Sequence, residues 1–303
     1  MGNKRHLDRA GLDRLLHDAG QDPAQVRSYD ELTEGTFNTV YRIGLPDGDL
    51  ILKLAPDPAA PVLSYEHDLI RTETGFYASA QGKAPVPEVV HAGEDFLLMT
   101  ALPGTSWHSQ TISGDDRTRL RKELGAIVAG LHEVTGSAFG YPQQGLTTSW
   151  STAFLAMIDD LLADATAYDV PLPRPAAAIR QLVIDRLDLL DTVRTPVLVH
   201  FDLWEGNILV ENGRLTGLVD GERAFWGDPV AEFVSLSLFS ELDDELLAGY
   251  GVTGVDEIRL AIYRVYLYLI MTIEVAPRGY EGPEHEQLGR LVRRHLTTEL
   301  AKL

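Results

Sequence analysis

No cysteine occurs among the 303 residues, so disulfides and thiolate-held metals are excluded and a reducing compartment suits the chain. No apolar run reads as long enough to cross a bilayer. The N-terminus, Met1-Gly2-Asn3-Lys4-Arg5-His6, leads into a charged amphipathic stretch and carries no signal peptide. The cytoplasm is the default location. Basic residues are scarce: 26 Lys and Arg face 45 Asp and Glu, a formal net charge of −19. That field disfavours nucleic acid and anionic membranes as partners and favours a cationic small molecule, although solubility alone also produces acidic surfaces. Three common signatures are missing as well, the P-loop, the dinucleotide-binding glycine turn and the G-x-S-x-G elbow, and the histidines form no HExxH set. With 45% apolar and 23% charged residues, the remainder is ordinary globular sequence, long enough for one large domain or two.

The first third reads as mostly strand after a short leading helix over 7–18, with Leu12, Leu15 and Leu16 at helical spacing. Strand-like runs follow at 26–32, 36–43 and 50–54, the last two joined through Asp47-Gly48, the chemistry of a tight hairpin. Helical spacing over 64–80 stops before Pro85-Val86-Pro87, and two more strands, 88–91 and 96–100, turn at Gly93-Glu94-Asp95. Beyond Pro103-Gly104 long helices take over: 115–134, 151–167 and 176–193, then again from Val230 onward. Short strands at 197–199, 208–210 and 215–219 interrupt them, the last pair turned by Glu211-Asn212-Gly213. The pattern predicts an α+β protein of two lobes. Residues 1–103 form a small β-rich lobe with a hinge near 99–103, and 104–303 form a larger helical one.

The chemistry concentrates in His200-Phe201-Asp202-Leu203-Trp204-Glu205-Gly206-Asn207 and in Asp220, which ends the next strand-like run. Asp202 is the candidate base for an attacking hydroxyl. Asn207 offers an amide oxygen and Asp220 an anionic one, both suited to hard Mg²⁺. His200 reads as a buried brace for the loop. Lys53 is a lone cation in the apolar run 50–55, placed to meet a phosphate or a carboxylate, or else a surface lysine on an edge strand. Glu66 and Glu73, seven apart on the following helix, are both candidates to pair with it. Residues 34–41 form a candidate phosphate-covering turn in which Thr36 or Asn38 could donate. Asp228, ahead of Pro229, reads as a helix cap. Glu222 reads either as a neighbour of the metal or as a solvated turn residue.

These residues resemble the aminoglycoside phosphotransferase and choline kinase-like family, relatives of protein kinases with the same bilobal fold. The resemblance runs from about Glu34 to about Val234 and is carried by 200–207, Asp220, Gly227-Asp228-Pro229, Lys53 and 98–104. It implies that Asp202 is the catalytic Asp and that Asn207 and Asp220 hold Mg²⁺. It also implies that Lys53, paired with Glu73 and with Glu66 in reserve, binds the α- and β-phosphates of ATP or GTP. The segment 98–102 would be the hinge, where backbone groups of Thr100 and Leu102 hold the purine and Met99 packs behind it. His132 resembles the family's structural histidine. Phe201 departs from the family's usual Gly, and the short run from Asp220 to Asp228-Pro229 leaves no room for the activation segment of a protein kinase. That argues against a protein substrate.

The function this predicts is transfer of a nucleotide γ-phosphate to a hydroxyl of a small natural product, an antibiotic first among them. A metabolic kinase of a sugar, amino sugar or amino alcohol is the alternative. A catalytically dead kinase fold serving as a binding module is a third reading, opposed by the joint presence of Lys53, Asp202, Asn207 and Asp220. Asp159, Asp160, Asp164, Asp243, Asp244 and Glu245 supply acidic side chains for a cationic acceptor.

Overall fold

The computed structural model describes residues 4–33 and 37–303. Thr36, expected to contact phosphate, lies outside the described residues, as do Glu34 and Gly35. Helix α1 (Arg9–Asp18) begins where the Asp8 carboxylate accepts the Gly11 N–H, satisfying one of the free donors of the first turn. Its apolar stripe, Leu12 and Leu16, packs on one face of an antiparallel sheet. The strands of that sheet are β1 (Ser28–Leu32), β2 (Thr39–Gly44), β3 (Leu50–Leu54), β4 (Val89–Ala92) and β5 (Phe96–Thr100), in the spatial order β1-β2-β3-β5-β4. Successive side chains of a strand point to opposite faces. Leu50, Leu52 and Leu54 therefore meet α1 while Ile51 joins the main core on the other face. Lys53 shares that second face, so the strand period alone turns its ammonium away from α1.

Helix α2 (Leu69–Ala80) covers the second face. It starts five residues later than the spacing predicts. Asp68 sits in the left-handed region at φ +52°, and the polar groups of Ser64 and Glu66 are taken by long-range partners. The helix also ends before the Pro85-Val86-Pro87 stop, where the Ala80 carbonyl accepts the Lys83 and Ala84 N–H groups.

The helical part opens with β6 (Thr105–Ser106), α3 (Gly114–Leu131) and α4 (Trp150–Ala167). The predicted helix over 176–193 divides into α5 (Ala176–Ile184) and α6 (Leu187–Leu190). At the break Arg186 leaves helical angles at φ −127°, and its guanidinium donates to the Leu182 and Leu303 carbonyls. Strand β7 (Val197–Val199) precedes the hairpin β8 (Ile208–Glu211) and β9 (Arg214–Leu218), turned at Asn212 (φ +50°) and Gly213 (φ +70°). Positive φ at both central residues is the geometry that Asn-Gly favours. A strand absent from the sequence reading, β10 (Phe225–Gly227), pairs with β7. The chain closes with α7 (Phe233–Leu236), α8 (Asp244–Tyr250), α9 (Glu257–Ile273), α10 (Val275–Arg278) and α11 (Pro283–Leu300).

One expectation is corrected here. By length and composition the stretch Glu257–Arg278 is apolar enough to cross a membrane, although its most apolar 18-residue window is 72% buried inside the molecule. Tyr263, Tyr266, Leu267 and Ile270 make it the central helix of the core, which accounts for its apolarity without a bilayer.

Candidate active site

Lys53 and Glu73 meet where β3 passes α2, with Nζ 2.6 Å from Oε2 and both side chains almost fully buried. Of the two candidate partners the geometry selects Glu73; Glu66 is turned away and pairs with Arg278 in α10. Lys53 also contacts Asp220 and, at 2.7 Å, Glu222. Glu222 is therefore no solvated turn residue: its carboxylate is buried and accepts from the Asn38 side-chain amide at 2.6 Å. That bond commits Asn38 to a carboxylate, where the sequence suggested a phosphate.

One ammonium thus faces three carboxylates whose oxygens lie within 4.8 Å of one another. Burial alone would lower the pKa of Lys53, but Asp220, Glu222 and Glu73 outweigh it and hold it well above its usual value. Burial pushes Glu73 and Glu222 upward. Asp220 is also raised by burial, but Lys53 reverses that and leaves it low. A buried group of this kind carries surplus negative charge, and a cation or a protonated carboxyl must offset it.

Asp220 itself occupies the left-handed region at φ +67°. Its N–H donates to the Tyr77 hydroxyl at 3.0 Å, and that hydroxyl donates to Glu73 at 2.6 Å. Gly221 follows because α2 presses against it: a Cβ there would lie 2.3 Å from the Phe76 ring. Asn207 donates its side-chain amide to the Asp202 carbonyl at 2.9 Å. This orients the amide so that its oxygen is the atom left for a ligand. A hard divalent cation takes an amide oxygen and a carboxylate of this kind together with phosphate oxygens and water, so Asn207 and Asp220 fit Mg²⁺ as a donor set.

The loop bearing Asp202 is held from below. The fully buried Glu232 accepts the N–H of His200 at 2.7 Å and of Phe201 at 2.9 Å. His200 is a brace: with its proton on Nε2 it donates to the Val219 carbonyl at 3.0 Å, while Nδ1 accepts the Asp202 N–H at 3.3 Å. Burial lowers its pKa, which favours that neutral form. Phe201 stands at φ +66°, a conformation that glycine reaches freely and phenylalanine does not. Its buried ring instead packs against Phe225 and Tyr266, with centroids 5.1 and 5.5 Å away.

The Asp202 carboxyl is pushed up to about 7 by burial, against which Arg223 pulls it down. Arg223 Nε lies 3.9 Å away and its Nη2 donates to Glu274 at 2.8 Å. The sequence reading singled out neither Arg223, Glu274 nor Glu232. Arg223 stands three residues after Asp220, a local signal that was available; Glu232 and Glu274 carry no local motif.

At the expected hinge Met99 is buried in the core on β5. The Thr100 N–H is occupied by the Glu88 carbonyl at 2.9 Å, so a purine contact from Thr100 would have to come from its own carbonyl. Leu102 lies so close over Gly217 that a Cβ there would be 2.5 Å from its Cδ1. Asp228 does cap, accepting from Val230 at 2.9 Å, and its second oxygen accepts from Tyr263 at 2.7 Å and Arg259 at 3.0 Å. His132 contacts the Tyr250 hydroxyl at 2.8 Å. Several acidic residues offered to a cationic acceptor have other partners: Asp159 binds Arg180, Asp164 binds Ser64, and Asp243 binds Arg121.

The model of the phosphotransferase enzyme family matches residues 28–261. A probable ketoamine kinase from Enterococcus faecium is 24% identical over 277 residues, covering 84% of this chain and 91% of that protein. An aminoglycoside 3'-phosphotransferase from Niallia circulans is 25% identical over 265 residues, covering 83% and 94%. Among solved structures, one assigned as a fructosamine-3-kinase from Thermobifida fusca aligns with a TM-score of 0.72 at 19% identity, covering 96% of this chain and all of that one. The aminoglycoside phosphotransferase APH(4)-Ia, in complex with ADP and hygromycin B, aligns at 0.67 and 17% identity, covering 95% and 97%. The chain belongs to the phosphotransferase enzyme family and has its protein kinase-like fold, a β-rich lobe set on a larger helical one.

Proposed function

We propose that this family member is a small-molecule kinase that moves the γ-phosphoryl group of ATP or GTP to a hydroxyl of an amine-bearing, sugar-like natural product, an antibiotic first among them. The observation that supports the reading is that Lys53 contacts both Glu73 and Asp220, while Asn207 is bonded to the backbone of Asp202, whose carboxyl feels the Asp220 charge. Lys53, held by Glu73, presents a fixed positive charge to the phosphates. Asn207 and Asp220 would hold Mg²⁺, which supplies charge neutralisation on the transferring group. Asp202 takes the proton of the acceptor hydroxyl as its oxygen bonds to phosphorus and the nucleoside diphosphate leaves.

The acceptor class rests on two features. The chain carries a net charge of −19, which attracts ammonium groups, and its relatives include both an aminoglycoside phosphotransferase and a ketoamine kinase. The second relative favours a metabolic reading, in which the acceptor is a ketoamine sugar. ATP consumption measured over aminoglycosides, macrolides, ketoamine-modified amino acids, plain sugars and choline-like amines separates the two. Turnover on ketoamines alone would end the antibiotic reading, and Mg²⁺-independent nucleotide binding with no turnover on any of them would end the kinase reading.

A further inference from the structure

The stretch between β3 and α2 does not remain on the small lobe. Ser64 donates its N–H and its hydroxyl to Asp164 of α4, at 2.8 and 2.5 Å. The Val62 carbonyl accepts from the Tyr168 hydroxyl at 2.7 Å, just past the end of α4. The Tyr65 ring stacks on Tyr141 with centroids 5.1 Å apart, and its carbonyl accepts from the Gln143 amide at 2.9 Å. Glu66 pairs with Arg278 of α10. Three separate parts of the helical lobe thus grip residues 62–66 of this connection.

Arg278 is where these contacts converge with the site. Its guanidinium lies 4.3 Å from the centre of the Phe37 ring, one residue before Asn38, which holds Glu222. It also lies 3.2 Å from Glu274. Glu274 binds Arg223, and Arg223 stands beside Asp202. A buried line of alternating charges, Glu66, Arg278, Glu274, Arg223 and Asp202, therefore joins the small lobe to the candidate base. The planar guanidinium serves two carboxylates through its edge and an aromatic ring through its face, a fixed fork that the compact point charge of a lysine ammonium does not reproduce. Buried ion networks of this kind fix geometry more than they add stability.

We propose that residues 62–66, within the connection 57–68, form an interlobe strap and that Arg278 is a positioning residue for phosphoryl transfer, setting Phe37 and the Asp202 carboxylate against each other. The inference rests on the kinase reading above. Misplacement of a reacting group by about 1 Å costs on the order of 100-fold in rate, so a residue that registers the two lobes acts strongly without touching the substrate. Coupling of this sort is reciprocal: nucleotide bound beside Lys53 must also tighten the strap.

The test measures binding of Mg·AMP-PNP by calorimetry and amide exchange of peptides covering 57–68 and 37–44, in the parent, Arg278→Lys, Arg278→Gln and the double variant Ser64→Ala/Tyr168→Phe. The last loosens the strap while Asp164 keeps its bond to the Ser64 N–H, so it decides the matter if Arg278→Gln fails to fold. In the parent, the nucleotide slows exchange across 57–68. Arg278→Gln and the double variant lose that protection and bind about tenfold more weakly, and Arg278→Lys does not restore them. Parent-like affinity with parent-like protection in a folded Arg278→Gln or in the double variant overturns the strap alone. A parent that binds no Mg·AMP-PNP overturns the kinase reading and the strap with it.

Discussion

Asp202 carries opposing demands that a pH series makes visible. Its carboxyl is pushed up to about 7 by burial, with Arg223 opposing, and a base works only when ionised. The rate should therefore climb as pH rises through about 7 and level off above it. Replacing Arg223 by Met removes the lowering charge, so the limb should move to higher pH in a rate profile. The same shift bears on stability. An acid whose folded pKa is raised binds its proton more tightly when folded, so ionising it costs stability as pH climbs from about 4 to about 7. Asp202→Asn should accordingly melt higher than the parent at pH 8, by an equivalent of about 2 kcal/mol, and the gain should vanish near pH 4. Phe201 weighs two effects of unequal size. Relief of its positive φ is worth about 1–2 kcal/mol, whereas deleting a fully buried ring costs about 3–5 kcal/mol, so Phe201→Gly should lower stability by about 2 kcal/mol in denaturant unfolding. Lys53 was legible in the sequence because a cation in an apolar strand demands a partner. Its three carboxylates, contributed by 73, 220 and 222, were only partly so, since none lies near it in sequence.

Among elements, those specified locally were the easiest to read. The β2–β3 and β8–β9 hairpins form around Asp47-Gly48 and Asn212-Gly213, and α3 and α4 follow their apolar spacing to within a few residues. The errors have long-range causes. Residues 64–68 have helical spacing, yet Ser64 and Glu66 bind side chains of the helical lobe. The 176–193 run breaks where Arg186 reaches the C-terminal carbonyl. Strand β10 is three residues long and exists through its pairing with β7. Asp228 shows how such short pieces are held, because its buried carboxylate joins the start of the next turn to Tyr263 and Arg259 of α9. Asp228→Ala would leave the Arg259 guanidinium and the Tyr263 hydroxyl short of a buried acceptor, a loss of about 3 kcal/mol. Chemical unfolding should register it, with Mg·nucleotide affinity falling as the loop around Asp202 loosens.

On the scale of the whole molecule, the loop 200–207 and Asp220 were legible as a candidate phosphoryl-transfer centre because their spacing is short and unbroken. The frame that aims them was hidden. Glu232, Glu274 and Arg278 sit tens of residues away and reveal themselves only as partners of His200, Arg223 and Glu66. The surplus of carboxylates around Lys53 gives the molecule a simple dependence on nucleotide and metal. Mg·ADP at about 100 times its dissociation constant should stabilise the fold by about 2.7 kcal/mol. The central claim is that Asp202 receives the acceptor's proton beside a metal that Asn207 and Asp220 would hold. The most direct measurement is phosphate transfer from Mg·ATP to the first acceptor found, in the parent and in Asp202→Asn, with Mg·ADP binding measured on both. The account predicts turnover reduced by a factor on the order of 10³ with nucleotide affinity nearly unchanged. Turnover in Asp202→Asn close to that of the parent would contradict it.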